Sequence, residues 1–237
     1  MKLSIYIAQA GVCSRRKAAE LVKQGGVTVD GKSIHEPWYE VKAGQSVEVQ
    51  GKLIELQKKI YILLNKPKDF LSTVADERGR KSVLDLIRPE ISERLYPIGR
   101  LDRNTTGLLV LTNDGDLTQK LAHPRYEVKK IYHVIVDKPL HERDVQKIMQ
   151  GVELEDGVVS VDALQFVPGE PKTNLTIKIH SGKYRVIRRL FAYLGYEIIK
   201  LDRINYAGLT KKGLSVGSWR YLTDKEVASL KKYGSVE

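Results

Sequence analysis

A six-residue segment with four consecutive apolar residues, GLLVLT at residues 107–112, constrains the fold of this chain more strongly than its other segments do. Apolar residues follow one another in it without alternation, which predicts a strand buried on both faces. Strand and helix patterns are interspersed on both sides of this run, but the regular βα rhythm of a parallel doubly wound sheet is missing. The sequence therefore predicts an α+β protein with a mixed, mainly antiparallel sheet flanked by helices.

The first 56 residues have a character of their own and are expected to form a small separate domain. Ser14 is placed to cap a second helix, and Asp30-Gly31 is typical of a tight hairpin turn. The predicted elements are helices at 3–10 and 15–24 and strands at 27–29 and 41–49. Residues 51–59 have the composition of a linker, so we predict domains at 1–56 and 57–237.

The second domain begins with an apolar strand that ends at Lys66-Pro67. Predicted strands lie at 60–65, 107–112, 131–136, 158–161, 164–167, 175–180 and 198–204. Predicted helices lie at 83–87, 115–122, 142–150 and 184–194. Thr223 and Glu226 form the pattern of a capping box, which predicts the start of a last helix.

The charge balance favours a polyanion as partner. Forty basic residues oppose 29 acidic ones in 237 residues, giving a net charge of +11, and cations that neutralise phosphates release counterions. The single cysteine, Cys13, cannot form an intramolecular disulfide, which favours a reducing compartment. The N-terminus lacks the apolar core of a signal peptide, and no apolar run approaches a membrane span. We therefore expect a cytoplasmic protein that has no membrane partner.

The motifs that the sequence lacks narrow the chemistry. None of the five histidines stands in an HExxH or HxH pair, and one cysteine cannot build a thiolate zinc site. The sequence contains no GxGxxG, no GxxxxGK[ST] and no GxSxG motif. If the chain is an enzyme, we expect it to work with ordinary side chains and without a cofactor or metal.

Residues 99–117, GRLDRNTTGLLVLTNDGDL, form the densest segment of the chain. Asp102 lies in it just ahead of the predicted buried strand, and a carboxylate on a tight loop beside a rigid strand is well held for catalysis. From the residues alone, a role for Asp102 as a turn residue, or as a surface partner of Arg103, stays open.

A second cluster, SGKYRVIRRLF at residues 181–191, carries Lys183, Arg185, Arg188 and Arg189 around a predicted helix start. Cations at this end oppose the helix dipole, which makes an anionic partner a reasonable explanation. A solvated basic face is the alternative. Arg125, Lys129 and Lys130 form a third basic group, ahead of the strand that contains Tyr132.

These motifs resemble those of the RsuA/RluB-type family of bacterial ribosomal RNA pseudouridine synthases. GRLDRNTTGLLVLTNDG is similar to the catalytic motif of that family, and SGKYRVIRRLF is similar to its GKxRQVRRM motif. LLNKPKDFLST and HPRYEVKKIYHV resemble its lysine-proline strand and its tyrosine motif. Residues 7–32 resemble the S4-like, or alpha-L, RNA-binding module, named after a ribosomal protein. Five motifs in the family's order cover essentially the whole chain.

The resemblance implies a pseudouridine synthase fold and an isomerase that uses no cofactor. It implies that Asp102 is the catalytic aspartate, Tyr132 the active-site aromatic and Arg188 the basic partner of the aspartate. The target uridine would be flipped out of its helix and stacked on Tyr132. Asp102 would either attack the sugar or take a proton from it, and the sequence does not choose between these routes.

Further cations are expected to bind RNA and thereby help to hold the substrate. These residues are Arg15, Arg16, Lys17, Arg100, Arg103, Lys130, Lys183, Arg185 and Arg189. HPRYEVKKIY is more similar to members of the family that act on the large ribosomal subunit, so large-subunit RNA, or an assembly intermediate that contains it, is the expected partner of a monomer. Val186 stands where the family usually has glutamine.

Three other functions compete with this interpretation. A non-catalytic RNA-binding assembly factor would be expected to have lost the aspartate, tyrosine or arginine, and all three are present. A DNA-binding regulator would use residues 3–24 as a helix-turn-helix, but this leaves the second domain unexplained. A glycoside hydrolase ordinarily needs two carboxylates about the scissile bond, and the sequence indicates one.

Overall fold

A computed structural model describes residues 1–88 and 90–233 of the chain. These residues form two compact units. The first unit comprises Met1–Ile60 with two short additions, Ser92–Arg94 and Asn113–Gly115, and the second comprises the rest of the described chain. The predicted boundary between residues 56 and 57 stays a prediction. No helix in the described ranges is both long enough and apolar enough to cross a membrane.

The first unit opens with two helices, α1 (Leu3–Gln9) and α2 (Arg15–Lys23). As predicted, Ser14 caps α2, since its side chain accepts a hydrogen bond from the backbone N–H of Lys17. Both helices turn apolar residues towards a small sheet. The buried core of this unit consists of Leu3, Ile7, Ala18, Val22, Val27, Val29, Val41, Val47 and Val49.

The sheet of the first unit has four strands in the order β2-β1-β3-β4. They are β1 (Val27–Val29), β2 (Lys32–Ser33), β3 (Val47–Val49) and β4 (Lys52–Ile54). The Asp30-Gly31 hairpin joins β1 to β2, as predicted. Two predictions were wrong in extent. The strand expected at 41–49 is confined to β3, and the linker expected at 51–59 contains β4, which pairs with β3.

The second unit has eleven strands, four α-helices and two short 3₁₀ helices among its described residues. The strands are β5 (Tyr61–Lys66), β6 (Tyr96–Pro97), β7 (Thr106–Thr112), β8 (Lys130–Val136), β9 (Val152–Leu154), β10 (Gly157–Val159), β11 (Ala163–Phe166), β12 (Asn174–Ile179), β13 (Ile198–Tyr206), β14 (Leu209–Thr210) and β15 (Trp219–Tyr221). The α-helices are α3 (Gly115–Ala122), α4 (Glu142–Gln150), α5 (Val186–Tyr193) and α6 (Asp224–Lys232).

Nine of these strands form one sheet, with the order β11-β12-β8-β13-β7-β5-β15 and with β14 and β6 attached to β13 and β7. Among the strand pairs of the described residues, β7 and β13 run parallel and the others antiparallel. The apolar run at 107–112 lies inside this sheet, and its residues are buried, as its lack of alternation predicted. The mixed, mainly antiparallel sheet is thus confirmed.

Several element boundaries differ from the predictions for local reasons. The helix predicted at 184–194 begins two residues later, because Arg185 has a φ of 45° and cannot be part of the helix. The helix predicted at 83–87 is a short 3₁₀ helix at Val83–Leu86. The capping box of Thr223 and Glu226 is present at the start of α6.

Candidate active site

The loop between β6 and β7 carries Asp102 and is held on both sides of it. Before it, the backbone N–H of Leu101 donates to the Ser72 hydroxyl, and that hydroxyl donates to the Leu101 carbonyl. After it, the backbone N–H of Thr105 donates to the Asp102 carbonyl across a tight turn, with an N···O distance of 3.0 Å. The carboxylate therefore stands on a fixed backbone, as the sequence predicted for a loop beside a rigid strand.

A buried lysine, Lys66 at the end of β5, ties the same loop down. Its ammonium donates to the backbone carbonyls of Pro67, Arg103 and Thr105 at 2.9, 3.2 and 2.9 Å. Burial lowers the pKa of Lys66 to about 8, while the charges of Asp69 and Asp102 act in the opposite direction. Lys66 is therefore a positioning residue for the Asp102 loop, and its three partners explain why an ammonium is buried here.

Two arginines from the start of α5 lie beside the Asp102 carboxylate. Their Nε atoms lie 3.5 Å (Arg185) and 3.7 Å (Arg188) from the same oxygen, Oδ2. Arg188 is the better enclosed of the two, with 20% of its side chain exposed against 46% for Arg185, and it also reaches the Thr105 hydroxyl at 3.5 Å. Burial lowers the pKa of Arg188, and the Asp102 charge opposes this effect.

Asp102 lines a cavity of about 200 Å³. One wall is formed by residues of the neighbouring strands β8 and β13. These residues are Lys130, Tyr132, Leu201, Arg203 and Tyr206. Tyr132 lies directly opposite Arg203 in the antiparallel pairing of these strands, which puts both side chains on the same face of the sheet. The cavity thus combines one carboxylate, several cations and two aromatic rings.

This wall is strongly desolvated. Burial raises the pKa of Tyr206 to about 12. Burial and then the charge of Arg203 lower the pKa of Lys130 to about 8, against a smaller effect of Asp162. The ammonium of Lys130 donates to the carbonyls of His180 and Ser181 at 2.9 and 3.3 Å. Charges in such surroundings interact strongly with any group that enters the cavity.

Comparison with known proteins identifies the family to which this chain belongs. Residues 60–193 match the family described as RNA pseudouridylate synthase, and residues 1–47 match the S4 domain. This chain belongs to the RNA pseudouridylate synthase family. The match covers the loop of Asp102, the strand of Tyr132 and the helix of Arg188, so the resemblance inferred from the motifs is confirmed.

Relatives of this family are similar over nearly the whole chain. A Bacillus subtilis protein named ribosomal large subunit pseudouridine synthase B is 41% identical over 97% of this chain and 95% of its own length. A Salmonella typhi protein named dual-specificity RNA pseudouridine synthase RluF is 36% identical over 98% of this chain and 78% of its own length. A crystal structure of a pseudouridylate synthase has a TM-score of 0.69 at 23% identity over 97% of this chain and 99% of that one, which shows the same fold.

The structure places the other cations predicted to bind RNA in three settings. Arg100, Arg185 and Lys183 line the cavity of this synthase-family domain. Arg103 is paired with Asp69 at 2.9 Å beside the Asp102 loop. Arg189 forms an ion pair with Asp156 at 2.8 Å. Their contact with RNA stays a prediction, as do the catalytic roles of Asp102, Tyr132 and Arg188.

The cations of the S4 domain lie at the start of α2. Arg15, Arg16 and Lys17 are exposed there. Arg15 and Arg16 line an open groove of about 500 Å³ together with Lys2 and Trp38, and 64% of Trp38 is exposed. An exposed tryptophan beside cations is typical of surfaces that bind unpaired bases.

The sequence did not identify Lys66 and Arg203 as residues of the site, although Lys66 holds the Asp102 loop and Arg203 lines the cavity. A signal existed for each of them. Lys66 is a lysine at the end of an apolar strand, and Arg203 is an arginine inside the strand predicted at 198–204. Charged residues are almost never fully buried unless they have partners or a function, so a lysine or arginine in a core strand identifies a candidate site residue.

Proposed function

We propose that this chain converts one uridine of large-subunit ribosomal RNA into pseudouridine, with Asp102 as the catalytic carboxylate. The observation that carries this proposal is the position of Asp102 in the cavity, within 3.7 Å of two arginines and on the loop held by Lys66. The name of the Bacillus subtilis relative supports the large subunit as the source of the substrate.

The reaction is an isomerisation that needs no added atom. The bond between N1 of uracil and C1′ of the ribose breaks, and its electron pair leaves with the base. The base turns, C5 forms a bond to C1′, and C5 then loses its proton while N1 gains one. During this sequence Asp102 either bonds to C1′ and is displaced when C5 attacks, or removes a proton from the sugar and returns it once C5 has bonded. Both routes use the ionised carboxylate.

In the proposed reaction, Arg188 orients the Asp102 carboxylate and Tyr132 holds the base. Arg188, which is largely enclosed, orients the carboxylate by a charge-assisted contact. Tyr132 offers an aromatic surface on which a base turned out of its helix stacks, as unpaired bases do on aromatic side chains. The cavity walls keep the detached uracil beside the ribose until it has turned.

The proposed interface with RNA has two parts. Around the cavity, Arg100, Lys183 and Arg185 face the phosphates that flank the target nucleotide. In the first unit, Arg15, Arg16 and Lys17 contact the backbone of the same RNA. Such contacts contribute affinity that falls with rising salt concentration.

Mapping pseudouridines in ribosomal RNA from cells that lack this gene tests the proposal. Carbodiimide treatment and primer extension report each pseudouridine as a stop. We expect one stop in large-subunit RNA to disappear and to return when the wild-type gene is restored. Asp102→Asn should not restore it, because an amide can neither attack C1′ nor take a proton.

The matched control is Asp116→Asn, which changes an exposed aspartate of α3 in the same sequence motif. This variant should restore the stop fully. If no stop disappears in the deletion strain, or if Asp102→Asn restores the stop, the proposed function is wrong. A chain that binds the RNA without forming pseudouridine would favour the assembly factor.

A further inference from the structure

Arg203 is a buried guanidinium whose hydrogen bonds are incomplete. Only 2% of the residue is exposed. Its Nε donates to the carbonyl of Leu108 at 2.7 Å, but Nη2 is buried and has no hydrogen-bond partner among the residues that the structure describes. Buried polar groups are nearly always paired, and an unpaired one in a native protein calls for an explanation.

The charge of Arg203 is not balanced by an acid either. Within residues 1–88 and 90–233, Arg203 forms no ion pair with a carboxylate, and the ring of Tyr206 lies 4.6 Å from its Cζ atom instead. Lys130, its cationic neighbour, is also largely buried, and the charge of Arg203 contributes to lowering its pKa. A buried cation without a counterion is costly, and a ligand that brings negative charge would remove this cost.

The incomplete guanidinium lines the same cavity as Asp102 and Tyr132. Strand pairing fixes this position, because Arg203 lies opposite Tyr132 on one side and beside Gly107 of β7 on the other. The side chain is therefore held at the wall where, in the proposed function, the uracil ring stacks on Tyr132. The pairing of its backbone and the hydrogen bond of its Nε hold the guanidinium beside this cavity.

The proposed reaction generates negative charge on the base, which in the proposed function stacks at the wall that Arg203 lines. When the N1–C1′ bond breaks, the electron pair leaves with uracil and spreads from N1 onto the carbonyl oxygens O2 and O4. Asp102 compensates at the sugar, by bonding to C1′ or by taking a sugar proton. A fixed donor aimed at an oxygen that gains charge stabilises the transition state more than the ground state.

We propose that Arg203 is a catalytic residue that donates a hydrogen bond from Nη2 to a carbonyl oxygen of the departing uracil. It transfers no proton. It stabilises the uracil anion from cleavage of the N1–C1′ bond until the C5–C1′ bond has formed, and this inference rests on the proposed function. Arg188 and Arg203 thereby have different tasks, one at the carboxylate and the other at the leaving base.

Sulfur substitution in the substrate tests the contact directly. The substrates are RNA fragments that carry the mapped target as uridine, 2-thiouridine or 4-thiouridine, and the measurement is single-turnover pseudouridine formation by the full-length protein. Sulfur accepts hydrogen bonds poorly, so wild type should be slowed by the substitution at the oxygen that Arg203 contacts. Arg203→Met should lose about 10²- to 10³-fold on uridine and show no additional loss with that thio substrate.

A merely structural role for Arg203 gives a different result. The Arg203→Met variant would then lose rate by the same factor on all three substrates, and its sensitivity to sulfur would equal that of wild type. Thermal unfolding and RNA affinity of the variant serve as controls for folding. Arg203→Lys, which keeps the charge but not the fork of donors, provides a second variant if Arg203→Met does not fold.

The two proposals fail in different ways. If wild type forms pseudouridine from uridine and neither sulfur substitution slows it, Arg203 does not contact a carbonyl oxygen of the base and the inference is overturned. If wild type forms no pseudouridine in any ribosomal RNA, the proposed function itself fails. A selective loss with one thio substrate that disappears in Arg203→Met supports the inference and identifies the oxygen.

Discussion

Gly107 in β7 lies so close to Arg203 in β13 that a Cβ atom at position 107 would stand 2.5 Å from the Arg203 backbone nitrogen and nearer still to its carbonyl oxygen. Gly107 also has a φ of 110°, which other residues rarely adopt. We therefore expect Gly107→Ala to destabilise the fold by about 1–3 kcal/mol, because the two strands must separate. Urea unfolding would measure this loss.

Gly208 provides the matched control for this prediction. It has a φ of 88°, but no atom lies within 4 Å of the position that its Cβ would occupy. Gly208→Ala therefore adds backbone strain without a collision and should cost less than Gly107→Ala. Equal losses in the two variants would show that the contact with Arg203 is unimportant for stability.

Lys66 makes the stability of the protein depend on pH in a defined direction. Its pKa falls from 10.5 to about 8 on folding, chiefly through burial. Between these values the unfolded chain binds a proton that the folded chain does not, so raising the pH favours the folded state. We expect the stability of wild type relative to Lys66→Met to increase between pH 7 and pH 9.5, as measured by urea unfolding at both values.

The difference between the two proteins isolates Lys66 from the other groups that titrate in this range. Lys212→Met, at an exposed position, serves as the control, and its difference from wild type should stay constant with pH. A relative stability of wild type that falls as the pH rises would contradict the assignment of Lys66 as an ammonium buried at a cost.

The two arginines beside Asp102 should differ in their contribution to turnover. Arg188 is largely enclosed and also reaches Thr105, whereas nearly half of the Arg185 side chain is exposed to screening solvent. Arg188→Met should lower single-turnover pseudouridine formation by about 10²-fold, and Arg185→Met should lower it by less. A larger effect of Arg185 would mean that the exposed arginine is the partner of Asp102, the proposed catalytic carboxylate.

Much of the fold could be predicted because its signals are local. The apolar run at 107–112 predicted a buried strand, Asp30-Gly31 a hairpin, and Thr223 with Glu226 a helix start. The start of α5 could not be predicted, because the left-handed conformation of Arg185 is not encoded by a glycine or proline. The short strand β4 was missed because its three residues are stabilised by pairing with β3 rather than by their own pattern.

The candidate site likewise contains residues that local motifs identify and one residue, Arg203, that they do not. Asp102, Tyr132 and Arg188 stand in motifs that resemblance identifies, and the structure puts all three around one cavity. Arg203 depends on contacts across the sheet. Its importance follows from the pairing with Tyr132, from the close approach of Gly107 and from an unpaired buried nitrogen. A local sequence pattern cannot predict these contacts, because Gly107 and Arg203 lie about a hundred positions apart in the chain.

Trp38 should contribute to RNA binding through stacking rather than through charge. It is 64% exposed and shares its groove with Lys2, Arg15 and Arg16, and a base stacked on an aromatic side chain contributes about 1–3 kcal/mol. We expect Trp38→Ala to weaken binding of the target RNA by about that amount and Trp38→Phe to weaken it less. Fluorescence anisotropy with a labelled RNA fragment would measure both.

Salt dependence separates this stacking contact from the charges around it. Replacing Arg15 and Arg16 together by alanine should reduce the slope of log affinity against log salt by about 1.4–1.8, because two phosphate contacts are lost. Trp38→Ala should leave the slope unchanged, since no ion pair is removed. Tyr193→Ala, at a tyrosine that is 66% exposed on α5, is the control for losing an exposed aromatic ring. If Trp38→Ala binds RNA as tightly as wild type does, Trp38 does not stack on a base of the RNA and the prediction is wrong.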